Sequence, residues 1–382
     1  MNSPELTTAE GYAQIDAAEW DHCAGSDDPF LSHAFMRCLE TSQSAVAGTG
    51  WQPLPLLVRD AAGELIGATP LWGKSHSQGE YVFDQGWADA WQRAGGSYYP
   101  KLLSAVPFTP VTGRRLLCHD AAAASQLIAG MAALAERSNL SSTHVNFITG
   151  DEVALFEQAD WLIREGLQYH WYNPGYGGFE DFLGEMPSRK RKTLRKERET
   201  ARQGLDIRLL SGSDIREEHW DAFWVFYQDT SARKWGRPYL TRAFFSLLGE
   251  AMADRVLLAL AYDGDRPIAG ALNLIGRDAL YGRYWGTTDD RPFLHFELCY
   301  YQAMDYAIAH KLPRVEAGAQ GEHKIARGYA PTITHSAHYL PDPGFREAVA
   351  DFLTRERQAI RLHAAELAAL LPFRRPEATT SS

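Results

Sequence analysis

Five side chains that could do chemistry fall within a dozen positions of residues 313–340, PRVEAGAQGEHKIARGYAPTITHSAHYL. They are Glu316, Gln320, His323, Lys324 and Arg327. The pattern predicts a short strand ending at Glu316, a turn, a brief helix with the three basic residues, and a second strand. A base, an amide and two cations beside glycines are typical of a catalytic site. The alternative is a solvated polar connection, which has the same residue types.

A further carboxylate, Glu297, opens a helix predicted from His295 to His310, HFELCYYQAMDYAIAH. A negative charge is favourable there because it faces the positive end of the helix dipole. Glu297 is therefore either a candidate base or only a stabilising N-terminal charge. The sequence leaves both interpretations open.

The most concentrated charge is a basic helix predicted over residues 188–203, SRKRKTLRKERETARQ, which holds eight lysines and arginines. Cations in its first turn oppose the helix dipole by about 0.3–1 kcal/mol each, so an anion is expected nearby. Either the acidic segment at residues 180–185 supplies it, or a bound phosphate does. The candidate phosphate contacts are Arg189, Lys190, Arg191 and Arg195. No aromatic residue is interleaved, which favours contact with phosphates over stacking with bases.

One hairpin pattern occurs twice along the chain. It appears as PLLVRDAAGELIGATPLW at residues 55–72 and as LLALAYDGDRPIAGALNLI at residues 257–275. Aligning Asp60 with Asp263 also aligns Gly67 with Gly270 without a gap, which predicts a duplicated unit, although short hairpins can match by chance. The glycine-rich linker at residues 172–178 then divides the chain into an acidic domain, 1–172, and a second domain, 173–382.

Composition supports two globular domains, since single cores rarely grow past about 250 residues. Residues 1–170 hold 9 lysines and arginines against 20 acids, whereas residues 171–382 hold 29 against 28. A phosphate-rich partner is therefore expected to contact the second domain. The sequence also predicts no membrane span, no signal peptide and, from four scattered cysteines without a CxxC pair, no metal site and a cytoplasmic location.

The first domain carries its own dense group of polar and aromatic residues between positions 74 and 117. A predicted helix at Asp89–Ala94 and the stiff Pro107–Pro110 segment would fix these side chains on a rigid wall. They form a predicted substrate-binding surface: Lys74, Ser75, Glu80, Tyr81, Asp84, Tyr98, Tyr99, Lys101, Phe108 and Thr109. The alternative is that the aromatics are core and the charges lie at its rim.

The order of elements resembles tandem acetyltransferase-type (GNAT) domains. The segments RKRKTLRKERETARQG, YYQAMDYAIAHKL and EAGAQGEHKIARGY are more closely similar to the bacterial FemAB-like group of peptidoglycan aminoacyltransferases and related N-acyltransferases. The resemblance covers residues 29–353. It implies an α/β fold of two GNAT-like domains, each a twisted, mostly antiparallel sheet flanked by helices, with a cleft between them.

The resemblance also implies a chemistry: acyl or aminoacyl transfer to an amine of a small molecule or peptide. No Ser-His-Asp or Cys-His order indicates a covalent intermediate, so direct attack is expected. His323 or Glu297 would be the base. Lys324 and Arg327 would hold the donor's phosphate or carbonyl oxygen, and Glu316 and Gln320 would orient the acceptor.

The donor is expected to be a substrate, acyl-CoA or aminoacyl-tRNA, and no tightly bound cofactor is implied. Coenzyme A acetyltransferases resembling this chain carry a glycine-rich pyrophosphate loop before the helix that contains Glu297. Residues 287–293, TTDDRPF, have no glycine and two acids there. This departure favours tRNA, with the basic helix as its phosphate contact.

Two other functions remain open. The fold could be a non-catalytic recognition module for a peptide or cell-wall precursor. A general nucleic-acid-binding protein is disfavoured because the rest of the chain is acidic.

Overall fold

The computed structural model describes residues 4–235, 238–318 and 321–374. They form two compact units. Unit 1 comprises Met1–Leu167, Pro238–Asp254 and Ile333–Leu362, and unit 2 comprises Gln168–Arg237, Arg255–Thr332 and His363–Ser382. Each unit is therefore assembled from segments that are distant in sequence.

The strands, in chain order, are β1 Glu5–Thr8, β2 Trp51–Pro53, β3 Leu56–Arg59, β4 Leu65–Thr69, β5 Leu71–Lys74, β6 Lys101–Ser104, β7 Leu117–Cys118, β8 Thr143–Ile148, β9 Leu162–Tyr172, β10 Asp206–Leu210, β11 Val256–Asp263, β12 Arg266–Ile275, β13 Ala279–Thr287, β14 Arg314–Glu316 and β15 Ala330–Tyr339. The helices are α1 Ala17–Ala24, α2 His33–Thr41, α3 Gln85–Arg93, α4 Ala121–Arg137, α5 Gly150–Gln158, α6 Phe179–Gly184, α7 Ser188–Arg202, α8 Glu217–Trp235, α9 Arg242–Met252, α10 Leu294–Phe296, α11 Gln302–Ala309 and α12 Pro343–Ala368. A π-helical turn, Glu297–Tyr301, joins α10 to α11, and a short 3-10 helix spans Glu322–Arg327.

Unit 1 contains two sheets. A small antiparallel sheet has the order β1-β3-β4-β7, and a second set of strands runs β15-β8-β6-β5-β2. β6 and β8 are parallel, with Leu103 opposite His144, and α4 lies between them in the chain. α4 packs its apolar face, including Leu127 and Met131, into the unit 1 core. This burial stabilises the pairing on which the polar network described below depends.

Unit 2 is built on a sheet of order β10-β11-β12-β13-β14-β9. β13 and β14 pair in parallel, from Ala279 opposite Arg314 to Tyr281 opposite Glu316. Gly286 of β13 is required by close packing with α8, because a Cβ atom there would lie 1.9 Å from the Phe226 carbonyl oxygen. Like unit 1, unit 2 thus has a pair of parallel strands, and the chain between them forms helices, here α10 and α11.

The duplicated hairpin is present in both units, but its register differs from the ungapped sequence alignment. Val58 pairs with Gly67 in the first copy, whereas the aligned Ala261 pairs with Ala269. The first turn is one residue longer, so Gly67 and Gly270 are not equivalent in pairing. Both copies have a register irregularity at the same aligned place, after Val58 and after Ala261.

Candidate functional site

Helix α7 is anchored to unit 2 by its inner face. Leu194, Arg198 and Ala201 are buried there. The Arg198 guanidinium donates to both oxygens of Glu297 at 3.0 and 3.1 Å, and Arg202 donates to the same carboxylate at 2.7 Å. Glu297 is fully buried and also accepts from Gln302. The predicted base therefore lies inside an ion network, at the start of a π-helical turn.

The outer face of α7 lines a pocket of about 740 Å³. The lining residues are Ser188, Arg189, Lys192, Thr193, Lys196, Glu197, Thr200 and Phe293. Arg189, Lys192 and Lys196 recur at helical spacing and are exposed. Within the described residues, none of these three cations has a carboxylate within 4 Å. The pocket therefore presents three positive charges that no ion pair among the described residues neutralises.

The acidic segment upstream of α7 neutralises only one helix cation among the described residues. Glu180 pairs with Arg195 at 2.5 Å, an exposed contact. Asp181 instead accepts from the Gly177 amide, and Arg191 donates to the Met186 carbonyl. Lys190 is half-buried, and burial and then the charge of Arg327 lower its pKa. Of the four predicted phosphate contacts only Arg189 lines the pocket, while Lys192 and Lys196, which sequence reasoning did not select, line it too.

Glu197 connects the pocket wall to the predicted catalytic helix. Its carboxylate accepts from Arg327 at 2.9 Å and from the Tyr301 hydroxyl at 2.7 Å. Arg327 is buried, lies 3.4 Å from the centre of the Phe296 ring and also donates to the His323 carbonyl oxygen. Arg327 thus holds the backbone of His323 and the carboxylate of Glu197, and its side chain does not point into solvent.

His323 is exposed on this short helix, and its Nε2 atom lies 2.8 Å from the Tyr300 hydroxyl. Burial raises the pKa of Tyr300, so its phenol stays protonated at neutral pH. The imidazole folds back over Gly321, where a Cβ atom would lie 2.5 Å from the ring. Gly321 has a φ of +111°, so glycine is required for both space and backbone conformation.

Lys324 and Glu316 are buried at the end of the parallel pair. Lys324 Nζ donates to the Gly318 carbonyl at 2.9 Å. Glu316 accepts from Arg314 at 2.8 Å, and its other oxygen lies 3.7 Å from Nε2 of His170. Burial lowers the pKa of His170, so that histidine is neutral. Gln320, the remaining member of the predicted group, lies outside the described residues.

In unit 1 the structure brings five predicted residues into one buried network. Lys74 and Lys101 face each other across β5 and β6, and both are 0% exposed. Lys101 donates to Glu80 at 2.7 Å and to Asp84, while Tyr98 donates to Asp84 at 2.6 Å. Lys74 is 3.8 Å from Glu80. Two lysines and two acidic side chains, all of them buried, thus contact one another in this network.

Burial dominates the acid–base properties of this network. It lowers the pKa of Lys74 to about 7 and raises the pKa of Glu80 to about 7. Burial alone would raise the pKa of Asp84 as well, but the adjacent Lys101 ammonium group holds it below its usual range. The Asp84–Lys101 pair is therefore charged at neutral pH.

The other predicted residues of unit 1 are dispersed around this network. Phe108 is buried and stacks on Tyr239 at 4.9 Å, and Thr109 is buried with its hydroxyl on the Pro107 carbonyl. Tyr99 is half-buried and contacts Ser77. Of the remaining two predicted residues, Ser75 is exposed and Tyr81 is half-buried.

Sequence reasoning missed a histidine pair in the same network. His144 on β8 and His338 on β15 are opposite each other, with their Nδ1 atoms 2.7 Å apart. His144 Nε2 also contacts Ser142 and Tyr98. Only one proton fits between the two Nδ1 atoms, so the two rings cannot both be protonated, and at least one of them is neutral. In the sequence, the only local indication of this pair was a histidine at an inward-facing position of each of the two buried strands, β8 and β15.

Acidification is expected to destabilise the fold through these two histidines. Burial lowers the pKa of His144 to about 3 and that of His338 well below 6.5. Below about pH 6.5 the unfolded chain therefore binds more protons than the folded one, and the free energy of unfolding should fall by about 1.4 kcal/mol per pH unit per histidine. Urea titrations of the full chain between about pH 5 and 7 measure this slope.

The variant His338→Gln should flatten that slope, since it removes one of the two groups. The matched control is His22→Gln, because His22 is exposed on α1 and is hydrated in both states. An unchanged slope in His338→Gln would contradict the assignment.

No group of three or more histidine, cysteine or acidic side chains suited to a metal ion occurs among the described residues. In the same part of the chain, no helix combines the length and apolarity that crossing a bilayer demands.

Comparisons with known proteins place this geometry in context. A family model for FemAB-like proteins, described as peptidoglycan biosynthesis/recognition, matches residues 11–375. The sequence matches no curated protein. The family resemblance read from the sequence is confirmed.

Solved structures show the same fold. The crystal structure of FemX has a TM-score of 0.54 at 12% identity, covering 88% of this chain and 98% of FemX. The C-terminal domain of a putative lysylphosphatidylglycerol synthetase from Agrobacterium fabrum has a TM-score of 0.54 at 10% identity, covering 90% and 97%. L-PGS from Bacillus licheniformis reaches 0.50 at 8% identity, covering 92% and 99%. The predicted α/β class with two GNAT-like units is confirmed.

Proposed function

The chain belongs to the FemAB-like family of peptidoglycan biosynthesis/recognition, and from this premise we propose that it transfers an acyl or aminoacyl group from a phosphate-bearing donor to an amine. The observation that carries the proposal is the pocket on α7. Its three exposed cations, Arg189, Lys192 and Lys196, have no carboxylate partner among the described residues. A polyphosphate or phosphodiester is the natural counter-ion for such a group.

The remaining arginines of α7 that form ion pairs also support this proposal. Arg198 and Arg202 are held by Glu297, and Arg195 is held by Glu180. The helix therefore divides its charge between an inner face that anchors it and an outer face available to a ligand. Acyl-CoA and aminoacyl-tRNA both carry phosphates, and either satisfies this requirement.

His323 is the proposed general base. The imidazole is positioned by the contact between its Nε2 atom and Tyr300, and in this proposal it accepts a proton from the attacking amine. The amine nitrogen forms a bond to the donor carbonyl carbon, the ester or thioester bond breaks, and the leaving oxygen or sulfur takes up the proton that the imidazole accepted. No covalent enzyme intermediate is needed.

The other predicted catalytic residues have positioning roles in this proposal. Arg327 holds Glu197 and the His323 carbonyl, and Lys324 holds the turn at Gly318. Glu297, fully buried among its partners, anchors α7. The buried network around Lys101 supports unit 1. Contact with the acceptor is assigned to the members of the predicted surface that are not buried, Ser75, Tyr81 and Tyr99.

The variants Lys192→Gln and Lys196→Gln test donor binding. Each should weaken the affinity for inorganic pyrophosphate, and for the donor, by about tenfold or more, because a hydrogen bond to a charged group contributes about 1.5–3 kcal/mol. Isothermal titration calorimetry with pyrophosphate measures the first effect. Transfer from acetyl-CoA and from labelled alanyl-tRNA to an amine-bearing muropeptide measures the second.

The matched control is Arg216→Gln, which removes an exposed cation of unit 2 that is paired with Glu218. It should change neither quantity. Pyrophosphate binding unaffected by both lysine variants would refute the donor site. Muropeptide binding without transfer from either donor would instead favour a recognition module.

A further inference from the structure

One residue of the α7 pocket is of a different chemical type from the rest. Phe293 is 40% exposed and contributes its ring from the segment that precedes α10, not from α7. An exposed aromatic ring beside three cations is unexpected from the helix sequence, which has no interleaved aromatic residue. The combination changes what the pocket can bind.

The Phe293 ring is held in place at a cost in backbone energy. Phe293 has a φ of +64°, a left-handed conformation that is unfavourable for a bulky residue. The preceding segment is braced: Arg291 binds Asp263 at 2.7 Å and Asp289 at 3.1 Å, and the Thr287 hydroxyl donates to the Asp289 carbonyl. The segment that lacks a glycine-rich pyrophosphate loop therefore has its own side-chain contacts immediately before the Phe293 ring.

The pocket is also larger than a phosphate needs. Its volume of about 740 Å³ lies within the range of about 300–1,000 Å³ that is usual for organic ligands. Planar bases stack on exposed aromatic side chains whatever their sequence, and phosphates bind arginine and lysine. A ligand that satisfies both the ring and the cations contains a base and a phosphate.

We propose that this pocket takes a nucleoside phosphate, with the phosphate against Arg189, Lys192 and Lys196 and the base stacked on Phe293. This rests on the proposed function, since the nucleoside phosphate is the handle of the acyl donor. A row of rings leads from the pocket towards the proposed base. Phe293 is 6.2 Å from Phe296, and Phe296 is 5.5 Å from His323.

A matched pair of probes, ADP and inorganic pyrophosphate, isolates the contribution of the base. The unmodified protein should bind ADP about tenfold more tightly than pyrophosphate, because stacking one base on an aromatic ring strengthens binding by about this factor. Phe293→Leu should remove this advantage while pyrophosphate binding stays the same. Phe293→Trp should restore it, which separates stacking from any change in folding.

The control Phe83→Leu removes another exposed phenylalanine, in unit 1, which is 55% exposed, and should leave the ratio of the two affinities unchanged. Equal affinity for ADP and pyrophosphate, or an equal loss of both in Phe293→Leu, overturns the inference. That result is distinct from failure of the proposed function, which is tested separately by pyrophosphate binding to the Lys192→Gln and Lys196→Gln variants.

Two donors contain the required chemistry, the terminal nucleotide of an RNA and the nucleotide of coenzyme A. Titration with coenzyme A and with a short single-stranded RNA separates them. The Phe293→Leu loss of about tenfold should appear with the ligand whose nucleotide enters the pocket. A loss with neither ligand contradicts the proposal.

Discussion

Replacing His323 by glutamine is expected to lower the rate of acyl transfer about a hundredfold or more, with little change in donor affinity. A positioned general base contributes about 10²–10⁴ in rate, and glutamine keeps a hydrogen bond to Tyr300 without a basic nitrogen. The loss should appear in kcat and not in KM for the donor, since the phosphate contacts lie on α7. Steady-state kinetics with each donor and a saturating amine acceptor measure it.

Tyr300→Phe provides the companion measurement. Tyr300 positions the imidazole and does not accept the proton, so this variant should lower kcat less than His323→Gln and shift the pH–rate profile. A rate of His323→Gln equal to that of the unmodified enzyme, with acceptor saturating, removes His323 from the mechanism. Arg216→Gln serves again as the control with an unchanged rate.

Lys101→Met is expected to lower the free energy of unfolding by about 3–5 kcal/mol, the cost of leaving a buried charge without its partner. Lys101 is fully buried and donates to Glu80, Asp84 and Ser77. Without its ammonium group, two carboxylates remain close together in a dry environment. Urea unfolding monitored by tryptophan fluorescence measures the loss, and the melting temperature should fall with it.

The double variant Lys101→Met/Asp84→Asn removes a positive and a negative charge together. It should be less destabilised than the sum of the two single changes, because the groups interact directly. Arg216→Gln, which breaks an exposed pair, should cost no more than about 1 kcal/mol. Strict additivity of the two buried changes would show that the charges do not interact.

Local sequence patterns predicted much of the architecture. The basic helix expected over 188–203 is found as Ser188–Arg202, and the short helix with His323, Lys324 and Arg327 is present. Such elements depend on spacing, capping and turn residues that are near each other in the chain. The long segments shared with FemAB-like proteins also identified the family, which residues 11–375 match.

The candidate site was less accessible from sequence. The eight cations of α7 cannot be distinguished by residue type. Contacts with Glu297, Asp305 and Glu180, which come from other segments, hold Arg195, Arg198 and Arg202. Phe293 lies about a hundred residues from the cations it accompanies, so neither its position in the pocket nor its exposure has a local signature.

The sequence by itself determined the elements, the family and a short list of reactive side chains for this protein. The tertiary structure alone decided which charges are buried together, such as Lys74 opposite Lys101 and His144 against His338, and which remain open to a ligand. The physical reason is that desolvation and pairing energies depend on partners brought together from distant segments. Helix and strand propensities, by contrast, act between neighbours in the chain.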